Sequence, residues 1–183
     1  GGTSAGVTAA IQSSRMGKSV LLIEPTSRIG GLTTGGLGQT DIGNKPVIGG
    51  IAREFYQNIK KYYEKPENWN WQDKEKYRDG GQTRTEEGED AMWTFEPSAA
   101  LKTYHNMMKN EKIVVIYNKM IDRQLGVKKE GTRIISITME TGEEYAGKFF
   151  MDATYEGDLM AAAGISYTIG REANSKYGET LNG

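Results

Sequence analysis

The sequence contains no cysteine, a single histidine and only four prolines among its 183 residues. Without cysteine, the chain cannot form a disulfide, a thiolate metal site or a redox-active dithiol, so any electron transfer must use a bound cofactor. Its 23 basic and 24 acidic residues give a net charge of −1. Because this balance provides no long-range attraction for a polyanion, nucleic acid is not an expected partner. No apolar run is long enough to span a bilayer.

Glycine is abundant instead. The 24 glycines fall mostly in residues 1–50 and 126–183, between periodic apolar segments. This distribution favours tight backbone turns around a ligand over a flexible linker. The sequence starts inside a glycine-rich motif and has no initiator methionine, so we expect the natural protein to be longer at both ends. Length and composition indicate one domain with an insertion, and they do not separate a cytoplasmic from an exported protein.

The apolar periodicity predicts helices and strands in alternation. The predicted helices are 4–16, 46–63, 97–109 and 157–163. Short apolar runs at 19–23 and 113–116 predict buried parallel strands. Strands at 119–128, 132–140 and 143–151 are predicted to form an antiparallel meander, and one more strand is expected near 165–169. The glycine-dense residues 26–45 predict a loop.

Residues 64–92 are polar and predict a surface insertion. Its region contains aromatic side chains that can stack on a sugar or another planar substrate, or pack against the neighbouring helix: Trp69, Trp71, Tyr77 and Trp93. It also contains an acidic run, which we expect to be solvated rather than to bind a cation: Glu86, Glu87, Glu89 and Asp90.

The opening segment Gly1-Gly2-Thr3-Ser4-Ala5-Gly6 lies directly before the first predicted helix. It is close to the dinucleotide fingerprint G-x-G-x-x-G, with Gly1 and Gly6 at the outer glycine positions and Thr3 at the middle one. In such a turn, free N–H groups and the helix dipole meet a pyrophosphate. By itself the segment is equally consistent with an ordinary helix start.

Glu24 ends the strand that follows the first helix. An acidic residue at this place accepts hydrogen bonds from the ribose hydroxyls of a bound dinucleotide, and it would repel the 2′-phosphate of NADP. The alternative is a solvated charge at a strand end. The order of glycine turn, helix, strand and acidic residue favours ribose binding.

Residues Arg28 to Gly38 contain two glycine pairs directly after Glu24. Glycine pairs let the backbone lie flat against a planar ligand. Arg28 can pair with a phosphate or pack over adenine. A flexible surface loop is the alternative interpretation of this segment.

Three segments together resemble the glutathione-reductase-like flavoprotein superfamily, and more narrowly the FAD-dependent oxidoreductases. They are Gly1–Gly6 with Glu24, Arg28–Gly31 as R-x-G-G, and Asp152-Ala153-Thr154-Tyr155-Glu156-Gly157-Asp158 as D-A-T-x-x-G-D, which is followed by Gly170-Arg171-Glu172. The similarity covers nearly the whole chain and is weakest over 64–95.

This resemblance implies an α/β fold: a Rossmann-like FAD/NAD(P)-binding domain with a parallel sheet, a small antiparallel meander and a helical or loop insertion. The FAD-binding domain would comprise residues 1–39 and 97–183, and residues 40–96 would be an insertion on the substrate side. The family's C-terminal flavin-contacting segment is not found in this sequence, so we expect the flavin site to need additional chain.

The resemblance also implies a set of residues along an extended FAD molecule. Gly1, Thr3, Ser4, Ala5 and Gly6 would hold the pyrophosphate, and Glu24 the adenosine ribose. Arg28, Gly30, Gly31, Leu32 and Thr33 would lie along the cofactor, and the backbone near Met120 and Ile121 would contact adenine. Ala153 and Thr154 would close the nucleotide side, and Asp158 would reach the cofactor or the substrate.

The expected function is flavin-mediated oxidation or reduction of a small organic substrate. The sequence identifies neither the substrate, the catalytic residues nor the oligomeric state. His105, the single histidine, is expected at the surface of its helix. Glu156 and Asp158 could serve as acid and base near a flavin, or could cap the following helix.

Two other functions stay open at this point. Relatives of this kind are sometimes labelled polysaccharide lyases, and the tryptophans could bind a glycan, although no spacing assembles the base and the carboxylate neutraliser that a lyase needs. An NAD-binding domain is the other, because the glycine turn and Glu24 also suit NAD. The R-x-G-G and D-A-T-x-x-G-D segments favour FAD.

Overall fold

The computed structural model describes residues 1–181, which form an α/β fold with two small sheets. Its helices are α1 Ser4–Arg15, α2 Gly31–Gly35, α3 Gly50–Glu64, α4 Pro97–Met108 and α5 Asp158–Ala162. Its strands are β1 Val20–Ile23, β2 Ile113–Ile116, β3 Val127–Glu130, β4 Arg133–Thr138 and β5 Glu144–Ala146. Within this described part, no helix combines the length and apolarity needed to cross a membrane.

Strands β1 and β2 form a parallel pair, in which Val20 lies opposite Ile113 and Ile23 opposite Ile116. The chain between them contains α2, α3 and α4, as a parallel connection requires a crossover. Because the strands are parallel, their carboxyl ends lie at the same edge of the sheet. Glu24 follows β1 at this edge, where its amide donates to the carbonyl oxygen of Ile116.

The main core lies between α1, α3, α4 and the parallel strands. Within it the ring of Phe55 stacks on Tyr104 at 4.5 Å and meets Phe95 edge-on at 5.5 Å. Other members of this core are fully or almost fully buried aliphatic side chains: Val7, Ala10, Ile11, Leu22, Ile29, Ile59, Ala99 and Ala100. Because α1 and α4 each bury one apolar face in this core, their apolar residues recur with the 3.6-residue period of a helix, which can be recognised in the sequence.

The predictions for α1, β1, α4 and β2 are confirmed to within one residue at each end. The loop predicted over 26–45 is wrong where α2 forms. Gly30 and Gly31 enter this helix with φ of 93° and 52°, a conformation that favours glycine, and the Thr34 hydroxyl donates to the Ile29 carbonyl oxygen. Helix α3 begins at Gly50 rather than 46, because Gly50 has φ of 57° and breaks the helical path.

The predicted antiparallel meander is confirmed as β3-β4-β5, but its strands are shorter than expected, and β3 overlaps the predicted strand 119–128 only at residues 127 and 128. β3 begins at Val127, because the Asp122 carboxylate accepts the amides of Gln124 and Leu125 and holds a turn there. Residues 147–151 and 165–169 are not strands, contrary to prediction. The Gly147 amide still donates to the Ile135 carbonyl oxygen of β4 at 3.3 Å, but within the described residues no backbone hydrogen bond to a strand continues this pairing at 148–151 or forms at 165–169, and the Phe149 side chain is 91% exposed.

The region 64–92 contains three short 3₁₀ turns and no strand, in agreement with a predicted surface insertion. The residues on either side of the longer segment 40–96 are joined by backbone pairing. Gln39 and Thr94 form an antiparallel bridge, and the Phe95 amide donates to the Gly38 carbonyl oxygen at 2.8 Å. The two ends of segment 40–96 therefore lie side by side, while its helix α3 packs in the main core.

Candidate functional site

Three segments that are distant in the sequence meet at the N-terminus of α1. The Gly30 amide donates to the Gly2 carbonyl oxygen at 2.6 Å, and Thr3 forms a parallel bridge with Gly30. The Thr3 hydroxyl donates to the Ala153 carbonyl oxygen at 2.7 Å. The opening glycine turn, the R-x-G-G turn and the D-A-T-x-x-G-D segment are thus in direct contact.

The N-terminus of α1 has the features of an anion site. Thr3 is the N-cap, and its hydroxyl oxygen accepts the Gly6 amide at 3.3 Å. The amides of Ser4 and Ala5 have no acceptor anywhere in residues 1–181. No acidic residue lies in the first turn. Two free N–H groups and the positive end of the helix dipole are therefore available to a negatively charged group.

Gly6 is needed for the close approach of α1 to the opening turn. A Cβ at Gly6 would lie 1.9 Å from the carbonyl oxygen of Gly1, so any side chain there would push the two apart. Gly1 itself lies against Ala153 and Thr154, where a Cβ would have 3.1 Å and 3.2 Å contacts. The glycines predicted from the fingerprint thus set a tight backbone cradle.

The Glu24 carboxylate is 6% exposed and joins two backbone turns. Its Oε2 accepts the Gly2 amide at 2.8 Å, and its Oε1 accepts both the amide and the hydroxyl of Thr26 at 2.9 and 2.7 Å. Oε1 is therefore filled, whereas Oε2 can accept one further donor. The contact with Gly2 is a structural role that the sequence interpretation did not include.

The segment after β2 lies beside Glu24 at the same sheet edge. The Lys119 amide donates to the Glu24 carbonyl oxygen at 3.1 Å, and Met120 is 36% exposed there. Burial and the Glu24 charge raise the pKa of Tyr117 above its ordinary value. Asn118 has φ of 56°, the single positive φ of a residue other than glycine between residues 1 and 181. Sequence reasoning predicted Met120 but missed Tyr117 and Asn118.

Arg28 contacts two backbone carbonyl groups in the structure. Its Nε donates to the Thr34 oxygen at 2.8 Å, and its Nη2 donates to the Pro97 oxygen at 3.2 Å. The guanidinium thereby ties α2 to the start of α4. This contact differs from the predicted partners, a phosphate or adenine, and the side chain remains partly open to solvent.

Ser4 and Thr33 connect α1 to α2 through their hydroxyl groups, which lie 2.6 Å apart. The Ser4 hydroxyl also donates to the Gly30 carbonyl oxygen at 3.0 Å. The buried Tyr104 lies next to them: its burial raises the pKa of its hydroxyl, and Ser4 and Thr33 partly oppose this shift. Leu32, between these residues in sequence, is exposed.

The D-A-T-x-x-G-D segment is folded around the Thr154 hydroxyl. This oxygen accepts the amides of Gly157 and Asp158 at 2.9 and 3.1 Å, and its hydrogen bonds Asp152 Oδ1. Thr154 therefore supports the start of α5. Of the two roles left open for Glu156 and Asp158, the structure does not show helix capping, because neither side chain caps α5.

Asp152 and Asp158 have different partners. Burial penalises the charge of Asp152, but the amides of Thr154 and Met160 outweigh it, and the pKa of Asp152 lies below its ordinary value. Asp158 forms a two-pronged ion pair with Arg123, with 3.0 Å from Nε to Oδ1 and 3.2 Å from Nη2 to Oδ2. Arg123 is a further residue of this region that sequence reasoning missed.

Tyr155 links the same segment to the R-x-G-G turn. Its hydroxyl oxygen accepts the Leu32 amide at 2.8 Å. Tyr155 occupies the first x position of D-A-T-x-x-G-D, for which the sequence gave no expectation, so no sequence signal pointed to this contact.

The aromatic residues of the insertion separate into buried and exposed ones. Trp93 is completely buried and packs on Tyr56 of α3, which agrees with the packing alternative rather than with stacking on a ligand. Trp69 donates its Nε1–H to the Tyr63 carbonyl oxygen at 2.7 Å, and Trp71 is 87% exposed. A cavity of about 250 Å³ lies among the following residues: Tyr63, Asn68, Trp69, Asn70, Trp71, Gln72, Tyr77, Met92, Thr94, Phe95 and Glu96.

The acidic run is only partly solvated, contrary to expectation. Glu86 and Glu87 are exposed, but Glu89 pairs with Lys45 at 3.0 Å and accepts Trp93 Nε1–H at 2.6 Å. The part of the chain that the structure describes contains no cluster of acidic or histidine side chains able to hold a metal ion. His105 is exposed, as predicted.

Comparison with known proteins agrees with this geometry. The family model described as FAD dependent oxidoreductase matches residues 1–182. No match was found among curated proteins or among solved structures. The family binds FAD in a Rossmann-like α/β fold, and the lyase and NAD-binding alternatives are not favoured. With its three signature segments in mutual contact and a family match over almost its whole length, the chain belongs to the FAD-dependent oxidoreductase family and is an oxidoreductase that uses FAD.

Proposed function

We propose that the convergent segments hold FAD with its diphosphate against the amides of Ser4 and Ala5, over the cradle formed by Gly1, Thr3 and Gly6. One observation carries this placement: the three signature segments meet where α1 presents two unpartnered N–H groups. Free amides at a helix N-terminus bind a negatively charged group without further assistance, and glycine lets the backbone come close to it.

The adenosine half would lie along the carboxyl edge of β1 and β2. There Glu24 Oε2 has room for one more donor and would accept a ribose hydroxyl, and the backbone around Met120 would border adenine. Ala153 and Thr154 would close this side through their contact with the opening turn. This arrangement follows the general rule that ligands bind at the carboxyl ends of parallel strands.

The flavin half would extend along the R-x-G-G turn. Arg28, Gly30, Gly31, Leu32 and Thr33 form the wall of this path, and Arg28 fixes the wall by tying α2 to α4. Asp158 would face the cofactor or the substrate from the opposite segment. To contact the cofactor or the substrate, the Asp158 carboxylate would have to bind it while still paired with Arg123.

The chemistry would be the oxidation or reduction of a small organic molecule. Bound FAD supplies the ring that exchanges electrons, and the protein binds, orients and shields the reactants. We propose residues 1–39 and 97–183 as the cofactor-binding domain and residues 40–96 as the substrate side. Two features support this division: backbone pairing at Gly38–Gln39 with Thr94–Phe95 closes the insertion, and the aromatic cavity lies within it.

The test of the ribose assignment is FAD binding by the purified protein and by Glu24→Gln. We expect the wild type to be yellow and to release FAD on denaturation. Glutamine keeps one acceptor oxygen for the amide and hydroxyl of Thr26, but an NH2 group replaces the oxygen that accepts the Gly2 amide and the proposed ribose hydroxyl. FAD affinity should therefore fall at least about tenfold, the usual loss for a hydrogen bond to a charged group. Titration of apoprotein with FAD measures this change.

Glu87→Gln is the matched control, because Glu87 is exposed and lies in the 64–92 region, outside the residues proposed to hold FAD. Its FAD affinity should equal that of the wild type. Equal affinities for Glu24→Gln and wild type would remove Glu24 from the ribose site. A folded, colourless wild type that takes up no FAD would refute the proposed placement as a whole.

A further inference from the structure

Tyr155 joins two of the three signature segments, yet no signature position accounts for it. Its hydroxyl oxygen accepts the Leu32 amide at 2.8 Å. The same oxygen lies over Gly31, where a Cβ would be 2.1 Å from it and 3.3 Å from the Cα of Thr3. The hydroxyl therefore lies between the R-x-G-G turn and the turn that leads into α1.

The hydrogen of this hydroxyl is unused. A tyrosine hydroxyl accepts and donates, and its accepting side is taken by Leu32. No acceptor for its hydrogen is found among residues 1–181, and the Tyr155 side chain is 59% exposed, so the group is accessible from outside. An incoming acceptor can use the hydrogen without breaking an existing bond.

We infer that the Tyr155 hydroxyl donates a hydrogen bond to the diphosphate of bound FAD. The inference rests on the proposed function, because it needs the diphosphate at the start of α1. The Leu32 amide fixes the oxygen in place, so the hydroxyl requires little reorganisation when the cofactor binds. It would add a third donor to the amides of Ser4 and Ala5. Tyr155 is thereby a cofactor-binding residue contributed by the variable part of D-A-T-x-x-G-D.

This assignment also explains why Gly31 bears no side chain. Any Cβ there would overlap the Tyr155 oxygen, and Gly31 in addition has φ of 52°. The glycine of one segment and the tyrosine of another are thus a matched pair across the site.

The experiment compares FAD affinity in wild type, Tyr155→Phe and Tyr167→Phe. Phenylalanine keeps the ring and removes only the hydroxyl. Tyr167 is similarly exposed, and its hydroxyl has no partner within the described residues, which makes it a matched control. Loss of a donor to a charged phosphate should weaken FAD binding by at least about tenfold in Tyr155→Phe, with no change in Tyr167→Phe. Titration of each apoprotein, followed by flavin fluorescence, gives these constants.

Two further measurements separate the possible outcomes. ADP carries the same diphosphate without the flavin, so its affinity should fall by a similar factor in Tyr155→Phe. The ligand-free Tyr155→Phe protein should melt no more than about 4 °C below the wild type, the cost of losing the hydrogen bond from the Leu32 amide, which excludes a general loss of structure. Unchanged FAD affinity in Tyr155→Phe would overturn the inference, and tighter binding would show that the hydroxyl obstructs the cofactor instead. If the wild type itself fails to bind FAD, the proposed placement falls before Tyr155 is considered.

Discussion

The proposed cofactor side, around the start of α1, and the proposed insertion, residues 40–96, are held together by different interactions. Around the start of α1, backbone groups and short hydroxyl side chains make the contacts, and glycine allows them to come close. In the insertion, large side chains do so: the ring of Trp93 lies 4.5 Å from Tyr56, and Glu89 joins Lys45 to Trp93. The first kind of contact can be inferred from the local spacing of glycines in the sequence. The second depends on side chains that only the folded chain brings together.

The largest expected effect is the loss of FAD from the Gly6→Ala variant. A methyl group at Gly6 would overlap the Gly1 carbonyl oxygen at 1.9 Å and separate the opening turn from α1. We expect the purified variant to carry no FAD, because the free amides would no longer face the other two segments. Absorbance of the flavin bands relative to protein measures the loss.

Gly80→Ala is the matched control, because Gly80 has an extended backbone and nothing lies within 4 Å of a Cβ there. Its FAD content should be that of the wild type. A yellow Gly6→Ala protein would show that close backbone approach is not what distinguishes the cofactor side.

A smaller effect, confined to stability, is expected from Trp93→Ala. Removing a completely buried tryptophan should lower the free energy of unfolding by about 3–5 kcal/mol. The exposed Trp71 provides the control, since Trp71→Ala should change this free energy by less than about 0.5 kcal/mol. Denaturant titrations compare the two.

The FAD affinity of Trp93→Ala tests whether the two regions depend on each other. If the insertion is held independently of the cofactor side, Trp93→Ala should bind FAD with wild-type affinity at temperatures where it is folded. A large loss of affinity would instead show that the two regions fold as one unit.

The smallest effect is expected from Glu143→Gln, at the turn between β4 and β5 of the meander. Hydrogen bonds from Lys119 and Thr141 lower the pKa of Glu143 from 4.5 to about 2. Because the folded-state pKa is depressed, this stabilisation is present above pH 4.5 and is lost as the pH falls towards about 2. The variant should therefore melt slightly below the wild type at neutral pH, and the difference should vanish in acid. A difference that persists near pH 2 would contradict the assigned cause.

Much of the fold could be predicted because its signals are local. The buried faces of α1 and α4 and the apolar runs of β1 and β2 repeat at the periods of helix and strand. Helix α2 was missed because it depends on two left-handed glycines and on the contact of Thr34 with Ile29, which leave no periodic pattern. The strand predicted at 165–169 shows the opposite error: an apolar run alone does not form a strand without a partner beside it.

The site was predictable to the same extent. Signature spacing named the glycines, Glu24 and Thr154, and the structure brings their segments together. It gave no indication of Tyr155 or Arg123, whose partners lie far away in the sequence. Contacts between a loop side chain and a distant amide or carboxylate have no periodicity from which they could be inferred.

The position of the Glu24 carboxylate has a thermodynamic consequence. One of its oxygens holds the amide of Gly2, so the group expected to meet the sugar also fixes the strand of backbone that leads into α1. Substitutions at Glu24 and in the turn at Gly2 should therefore change the free energy of FAD binding non-additively: the changes measured separately should not sum to the change in the double variant, since each substitution perturbs the other site. In the proposed arrangement, an adenosine fragment that occupies the carboxylate also reports on the order of the neighbouring turn, and the two halves of the dinucleotide are recognised cooperatively.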